Sequence, residues 1–202
     1  KGFLGKIVQY LLGFVGAVLF ARILGPTSFG GFYTLFSLAF LAQQPLVGMA
    51  NAIEKRFSEV ETDRGEILGS VFIIHGIAYM LVGIGLWFTA EQLAVRTNVT
   101  NAPFVFLALF VAKSLFTSFQ QILSASGYPA LQIWNDTLRS VLTLPLQLLF
   151  VLAGFAGAGM GYGIAVASLL TFPVGLYFVQ VPLKKPSRQA LGSIWEYARY
   201  SV

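Results

Sequence analysis

The chain reads as an all-α membrane protein, a six-transmembrane-helix bundle, and three observations carry that reading. Apolar residues gather into six runs of roughly twenty, the length a helix needs to cross the hydrocarbon core of a bilayer. Charged residues are only 10% of the 202 and hydrophobic ones 56%, with a mean hydropathy of +0.76, whereas soluble chains carry about 25% charge. The breaks between runs are short and rich in glycine and proline, which favours antiparallel neighbours packed in sequence.

The first run, Phe3–Leu24, has no small-residue cleavage site ahead of a polar mature domain, so it is a retained span. Gly13 and Gly16 within it permit close helix contact. Gly25-Pro26 and Gly30-Gly31 form the turn into the second run, Gly30–Ile53, where Pro45 permits a bend. Tyr33, Ser37, Gln44 and Asn51 lie at offsets that place them within about 40° of one another on an ideal helix. The connector Glu54–Glu66 mixes acids and bases and reads as a solvated hairpin.

The third run, Ile67–Ala90, holds Gly76, Gly83, Gly85 and the single histidine, His75. That residue could carry a proton between pH 5 and 8, or simply hydrogen-bond a neighbouring helix as a neutral ring. Asn98-Val99-Thr100 forms a glycosylation sequon in the loop that follows. The fourth run, Pro103–Ser126, carries a stripe of Lys113, Thr117, Gln120 and Ser124. Lys113 falls near the midplane, where a charge costs about 2.5–3.5 kcal/mol even on insertion scales, so it needs a partner or water.

After Gly127-Tyr128-Pro129 comes the fifth run, Gln132–Ala153, with Pro145 inside it and Asp136 and Arg139 spaced as a local ion pair near its inner end. Gly154 to Gly163 reads as turn chemistry, and the sixth run, Gly159–Val181, contains Pro173. Residues 1–183 thus form a six-helix lobe. Residues 184–202 form a cytoplasmic linker and the start of an amphipathic or seventh helix, with Trp195, Tyr197 and Tyr200 suited to the membrane interface.

Lysine and arginine set the orientation. With a cytoplasmic N-terminus the inner side receives Lys1, Lys6, Lys55, Arg56, Arg64, Arg139, Lys184, Lys185, Arg188 and Arg199, and the outer side only Arg22 and Arg96. The positive-inside rule then puts both termini in the cytoplasm. The net charge of +5 points to topology and anionic lipids rather than nucleic acid. Cysteine is absent, which removes disulfides, thiolate metal sites and thiol catalysis, and no metal or other cofactor is expected.

The two polar stripes admit two readings. One is interhelical hydrogen bonding in a packed bundle, with Lys113 snorkelling or internally paired. The other is a wet cavity in which hydroxyls and amides meet sugar and a midplane ammonium meets phosphate.

The stretch Leu19-Phe20-Ala21-Arg22-Ile23-Leu24-Gly25-Pro26-Thr27-Ser28-Phe29-Gly30-Gly31-Phe32-Tyr33 resembles the first outer turn of polysaccharide flippases of the O-antigen type, within the multidrug/oligosaccharidyl-lipid/polysaccharide exporter superfamily. Ile122-Leu123-Ser124-Ala125-Ser126-Gly127-Tyr128-Pro129, followed by Asn135, is similar to that superfamily's turn between spans four and five. Ile194-Trp195-Glu196-Tyr197-Ala198-Arg199-Tyr200-Ser201 resembles its approach to a seventh span. The resemblance implies two six-helix lobes with alternating access between them, this chain being the N-terminal lobe and its partner the C-terminal lobe. It implies transport of a polyprenyl-phosphate-linked oligosaccharide from the cytoplasmic to the outer leaflet of the cell membrane, with cationic side chains meeting the phosphates.

On that basis Arg22, Tyr33, Ser37, Gln44, Asn51, Lys113, Thr117 and Gln120 are the candidate substrate-binding residues and His75 the candidate for ion coupling. Arg22 also has a purely structural role open to it at the turn. Two alternatives stand. A membrane-embedded glycosyl transferase or ligase would need a base, nucleophile or carboxylate pair, and the outer loops offer only Glu91. A multidrug exporter of the same superfamily would favour a more aromatic cavity.

Overall fold

The computed structural model describes residues 2–59 and 63–199. Lys1, residues 60–62 of the Glu54–Glu66 connector, and Tyr200 and Ser201 of the final motif lie outside the described residues. Among those described there are helices and turns and no strand.

Helix α1 (Gly2–Ala42) carries two of the expected runs. It is broken at Gly25, whose φ of 70° and ψ of 172° lie outside the helical region and suit a residue without Cβ. Pro26 follows, where the missing N–H costs nothing at the start of a new helix. The chain reverses there: Gly13 and Gly16 of the first arm share a cleft with Phe32 and Phe36 of the second, whereas a straight helix would hold Gly13 and Phe36 about 35 Å apart. The second arm ends at Gln43, and α2 (Gln44–Ser58) continues it with Pro45 in its first turn. The second run is therefore two helices in series, and the stripe Tyr33–Ser37–Gln44–Asn51 is divided between them.

Helix α3 (Arg64–Thr97) starts at an Asp63 cap whose carboxylate accepts from Gly65 N–H at 2.9 Å. It packs antiparallel on α4 (Ala102–Ala125), as the pairs His75–Ser118 and Tyr79–Ser114 show by their constant sum of positions. Helix α5 (Pro129–Phe150) runs into a π-helical turn (Val151–Phe155) and then α6 (Ala156–Val179). Gly154 at φ 93° breaks the path, and α6 folds back on α5 with Gln147 Nε2 donating to the Met160 carbonyl at 3.2 Å. Among the described residues, four stretches are long and apolar enough to cross a membrane, and two of them contain these reversals. Six crossings result.

The glycines of residues 157–163, expected as turn chemistry, are instead a packing surface. The turn closes at Gly154–Ala156 and α6 begins before them. A methyl group at 161 would lie 2.4 Å from Val105 of α4, and one at 163 only 2.5 Å from the Gln147 backbone nitrogen of α5. Small residues at this spacing let backbones approach and maximise dispersion contact where lipid supplies no hydrophobic drive.

The first arm of α1 lies parallel to α5. Gly5 meets Ile133 and Thr137, Gln9 bonds Thr137, and Gly16 meets Leu144, nearly constant offsets that define one register. Two apolar clusters fill the bundle. The first centres on Phe20, Phe32, Leu35, Leu109 and Phe110, and the second on Ile53, Phe57, Ile67, Phe119 and Ile194.

Residue Ile194 belongs to α7 (Arg188–Arg199), an amphipathic helix. Ile194 is fully buried in the second of these clusters, while Trp195 is exposed. The linker before α7 is strapped to α3: Lys184 N–H donates to the Gly65 carbonyl, Lys184 Nζ pairs with Asp63 at 2.7 Å, and Ser187 donates to Glu66. Gly65 and Gly69 make room for it, since a methyl group at 69 would lie 2.0 Å from the Lys184 carbonyl.

Candidate functional site

The middle of the bundle holds a charged cluster built from three helices. Lys113 is the twelfth of 24 residues of α4 and Arg139 the eleventh of 22 of α5, so both stand near mid-span. Asp136 lies one turn below Arg139 and accepts from its Nη2 at 2.8 Å and its Nε at 3.3 Å. Across from it, Lys6 of α1 donates to the other carboxylate oxygen at 3.1 Å. Arg139 also covers the Phe116 ring at 4.9 Å.

Lys113 has no salt bridge among the described residues. Its ammonium sits 4.7 Å from the Phe36 ring centre and 6.0 Å from that of Phe40, within the reach of a cation–π contact. Among the described residues, Arg139 and Lys6 thus share the carboxylate of Asp136, and Lys113 on the neighbouring helix rests on aromatic rings instead.

Two clefts flank this cluster. The first, about 210 Å³, lies between the arms of α1 and helices α5 and α6. Its walls are mostly apolar (Leu12, Phe20, Phe32, Phe36, Leu144, Met160), with Gln9, Tyr33, Arg139 and Gln147 as polar points. The second, about 370 Å³, opens between the N-terminal parts of α1 and α5 and the C-terminal half of α4. It is lined by Lys6, Thr117, Gln120, Gln121, Gln132 and Asp136 over Phe116 and Ile133.

The sequence-predicted residues distribute as follows. Lys113, Thr117 and Gln120 share the α4 face, with Thr117 and Gln120 lining the second cleft. Tyr33 lines the first. Asn51 is exposed and accepts from Gln121 at 3.3 Å, so it borders the second cleft through that contact. Ser37 is exposed beside the Phe36–Phe40 face, and Gln44 is also exposed, its amide donating back to the Phe40 carbonyl at 3.2 Å. Arg22 is exposed near the reversal of α1, three residues before Gly25, and lines neither cleft.

His75 also lines neither. It is buried, with Nδ1 at 2.8 Å from the Val71 carbonyl and Nε2 at 3.1 Å from the Ser118 hydroxyl. The carbonyl can only accept, so Nδ1 carries a proton, and the serine hydroxyl can pair with Nε2. The ring joins α3 to α4.

Reading the sequence alone missed that Asp136 and Arg139, taken as a local pair near the inner end of α5, reach into the cluster. Their spacing gave the pair, and counting eleven residues from Pro129 would have given Arg139 its depth. Nothing in the sequence pointed to Lys6 as a third member.

Membrane-length helices thus pack around a cationic centre flanked by two clefts. The chain belongs to the polysaccharide biosynthesis protein family, whose model matches residues 2–201. It is 27% identical to the probable low-salt glycan biosynthesis flippase Agl15 of Haloferax volcanii, over all of this chain and 43% of that protein. Solved structures share the fold. A proline-to-alanine variant of a MATE transporter superposes with a TM-score of 0.75 at 20% identity, covering 98% of this chain and 49% of that one. A transporter of the multidrug/oligosaccharidyl-lipid/polysaccharide superfamily from Pyrococcus furiosus, distinguished by the reverse polarity of its binding pocket, gives 0.74 at 20%, covering 99% and 49%. The chain therefore spans about half the length of the proteins it matches.

Proposed function

We propose that this chain is the N-terminal lobe of a flippase that carries a polyprenyl-phosphate-linked oligosaccharide from the cytoplasmic to the outer leaflet by alternating access, pairing with a C-terminal lobe. The observation that carries this reading is the cation excess among the described residues, where Lys6 and Arg139 share the single carboxylate of Asp136 and Lys113, near mid-span of α4, has aromatic rings but no ion pair. Each unpaired charge at that depth costs a few kcal/mol, and an anionic ligand bonded by ammonium and guanidinium repays it with charge-assisted hydrogen bonds. A phosphate or diphosphate is the anion a lipid-linked saccharide offers. The family and the flippase relative support the same substrate class.

In this reading both termini are cytoplasmic, in keeping with the basic residues of the inner loops. Lys113 and Arg139 hold the phosphate, Thr117 and Gln120 meet the saccharide, and Tyr33, Ser37, Gln44 and Asn51 line the face turned toward the second lobe. Arg22 stands at the outer mouth, where a headgroup would leave. His75 serves packing between α3 and α4, both of its nitrogens being engaged.

The test is flipping of a fluorescent polyprenyl-diphosphate saccharide by the full-length protein in proteoliposomes. Lys113→Ala and Arg139→Ala should each slow it by about tenfold or more, the loss expected for a charge-assisted bond, while Lys113→Arg keeps most of the rate because the charge survives. Wild-type rates in both well-expressed alanine variants would refute the reading.

A further inference from the structure

We propose that the cleft between the N-terminal parts of α1 and α5 and the C-terminal half of α4 is a saccharide subsite, in which Gln120, Thr117 and Asp136 hydrogen-bond the sugar that carries the phosphate. The inference rests on the phosphate reading above and adds the position and chemistry of the adjoining sugar.

The primary observation is Gln120. It is only 7% exposed, it lines the cleft, and neither its Oε1 nor its Nε2 has a hydrogen-bond partner among the described residues. A buried amide left unpaired is costly, and native structures keep few of them. An amide offers one acceptor and two donors, the combination that neighbouring hydroxyls of a sugar ring satisfy, since each hydroxyl both donates and accepts.

The rest of the lining repeats that chemistry. Thr117 stands one turn before Gln120 on the same face, and Gln121 and Gln132 add two further amides, Gln121 being held by Asn51 at 3.3 Å. Asp136 uses one carboxylate oxygen for Arg139 and the other for Lys6, and a carboxylate has about four lone-pair sites, which leaves capacity for a hydroxyl donor. At about 370 Å³ the cleft falls within the usual range of small-molecule sites, about 300–1,000 Å³.

Position matters as much as composition. Arg139 stands three residues beyond Asp136 on α5, a rise of about 4.5 Å. Lys6 lines the cleft itself, Arg139 lies one turn beyond Asp136 on α5, and Lys113 stands about two turns from Gln120 on α4. A phosphate held by these cations would keep its attached sugar beside Gln120 and Asp136. A lobe built to bind phosphate alone has no use for a buried unpaired glutamine there.

The experiment measures affinity of the full-length protein in nanodiscs for two probes, farnesyl diphosphate and farnesyl diphosphate bearing N-acetylglucosamine. The wild type should bind the glycosylated probe about tenfold more tightly, the worth of one or two net hydrogen bonds. Gln120→Leu, similar in volume and apolar, should abolish that preference while leaving farnesyl diphosphate affinity within about twofold, the change expected when no bond to the phosphate is lost. Thr117→Val should lose part of the preference and serves as the deciding variant if Gln120→Leu does not express. Equal binding of the two probes by the wild type overturns the subsite. So does a preference retained in both variants, or an equal loss for both probes. Failure of the wild type to bind either probe overturns the phosphate reading as well, whereas tight binding of farnesyl diphosphate with no sugar preference overturns the subsite alone.

Discussion

Replacing Asp136 by asparagine should destabilise the protein and at the same time tighten its grip on phosphate. Asp136 is the carboxylate that Arg139 and Lys6 share, bonded to Arg139 at 2.8 and 3.3 Å and to Lys6 at 3.1 Å. Lys6 is half exposed, so its pair contributes at most about 1 kcal/mol. Arg139 and Asp136 are each only about a fifth exposed. A neutral amide oxygen still accepts from Arg139 but retains roughly half of the charge-assisted strength, a loss of about 1 kcal/mol on the 1.5–3 typical of hydrogen bonds to charged groups. The sum, about 2 kcal/mol, lowers the melting temperature by roughly 4–8 °C in a chain of this size. Yet the freed Arg139 and Lys6 no longer share their charge with a carboxylate, so farnesyl diphosphate should bind about three- to tenfold more tightly, an exchange of about 1 kcal/mol. Thermal unfolding in detergent and titration of the probe on the same preparation measure both. Weaker binding in Asp136→Asn, or an unchanged melting temperature, refutes the assignment of Asp136 as the internal counter-charge of an anion site.

Gly163→Leu should cost at least about 2–3 kcal/mol through overpacking, because even a methyl group there meets the Gln147 backbone at 2.5 Å; wild-type unfolding of that variant would contradict the close α5–α6 approach. The strap of the linker onto α3 should respond to pH at its extremes only. The Lys184 ammonium beside Asp63 holds that carboxyl below its ordinary 3.8, and Asp63 in turn holds Lys184 above its ordinary 10.5. The Asp63 contribution is therefore present above the ordinary carboxylate value and lost as pH falls through the depressed one, and that of Lys184 is present below its ordinary value and lost as pH rises past the raised one. Trypsin cleavage after Lys184 should stay flat from about pH 5 to 9 once corrected for the enzyme's own profile, and Asp63→Asn should raise it throughout; no change in that variant would dissolve the strap. Thr100→Cys, exposed in the loop between α3 and α4, should react with a membrane-impermeant maleimide from outside the cell, and labelling only from the cytoplasmic face would invert the topology.

The number of crossings, the polar face of α4 and the ion pair of α5 were legible in the sequence because each depends on local spacing along one helix. Apolar length identifies a span whatever it packs against, and Lys113, Thr117 and Gln120 share a face by helical periodicity alone. The reversal at Gly25 was legible too, since Gly-Pro is punctuation in any context. Less was visible where partners come from distant parts of the chain.

Glycines 157–163 looked like turn chemistry because glycine favours both turns and close helix packing. Only the approach of Gln147 and Val105 separates the two roles. His75 reads from the sequence as a residue that either titrates or packs, and the structure adds its two hydrogen-bonding partners, Val71 of its own helix and Ser118 of the next. Amphipathic periodicity foresaw α7, but the burial of Ile194 against Phe57 depends on how the lobe closes.

The charged centre shows the same division most clearly. Sequence alone determined that a lysine lies at mid-span and that an Asp–Arg pair lies on the next helix, because depth and i,i+3 spacing are properties of a single segment. That Lys6, 130 residues away, reaches Asp136, and that Gln120 ends unpaired above the same cleft, was decided by the parallel register of α1 on α5. Interhelical register comes from the packing of small against large side chains across two surfaces, and no one segment contains that information.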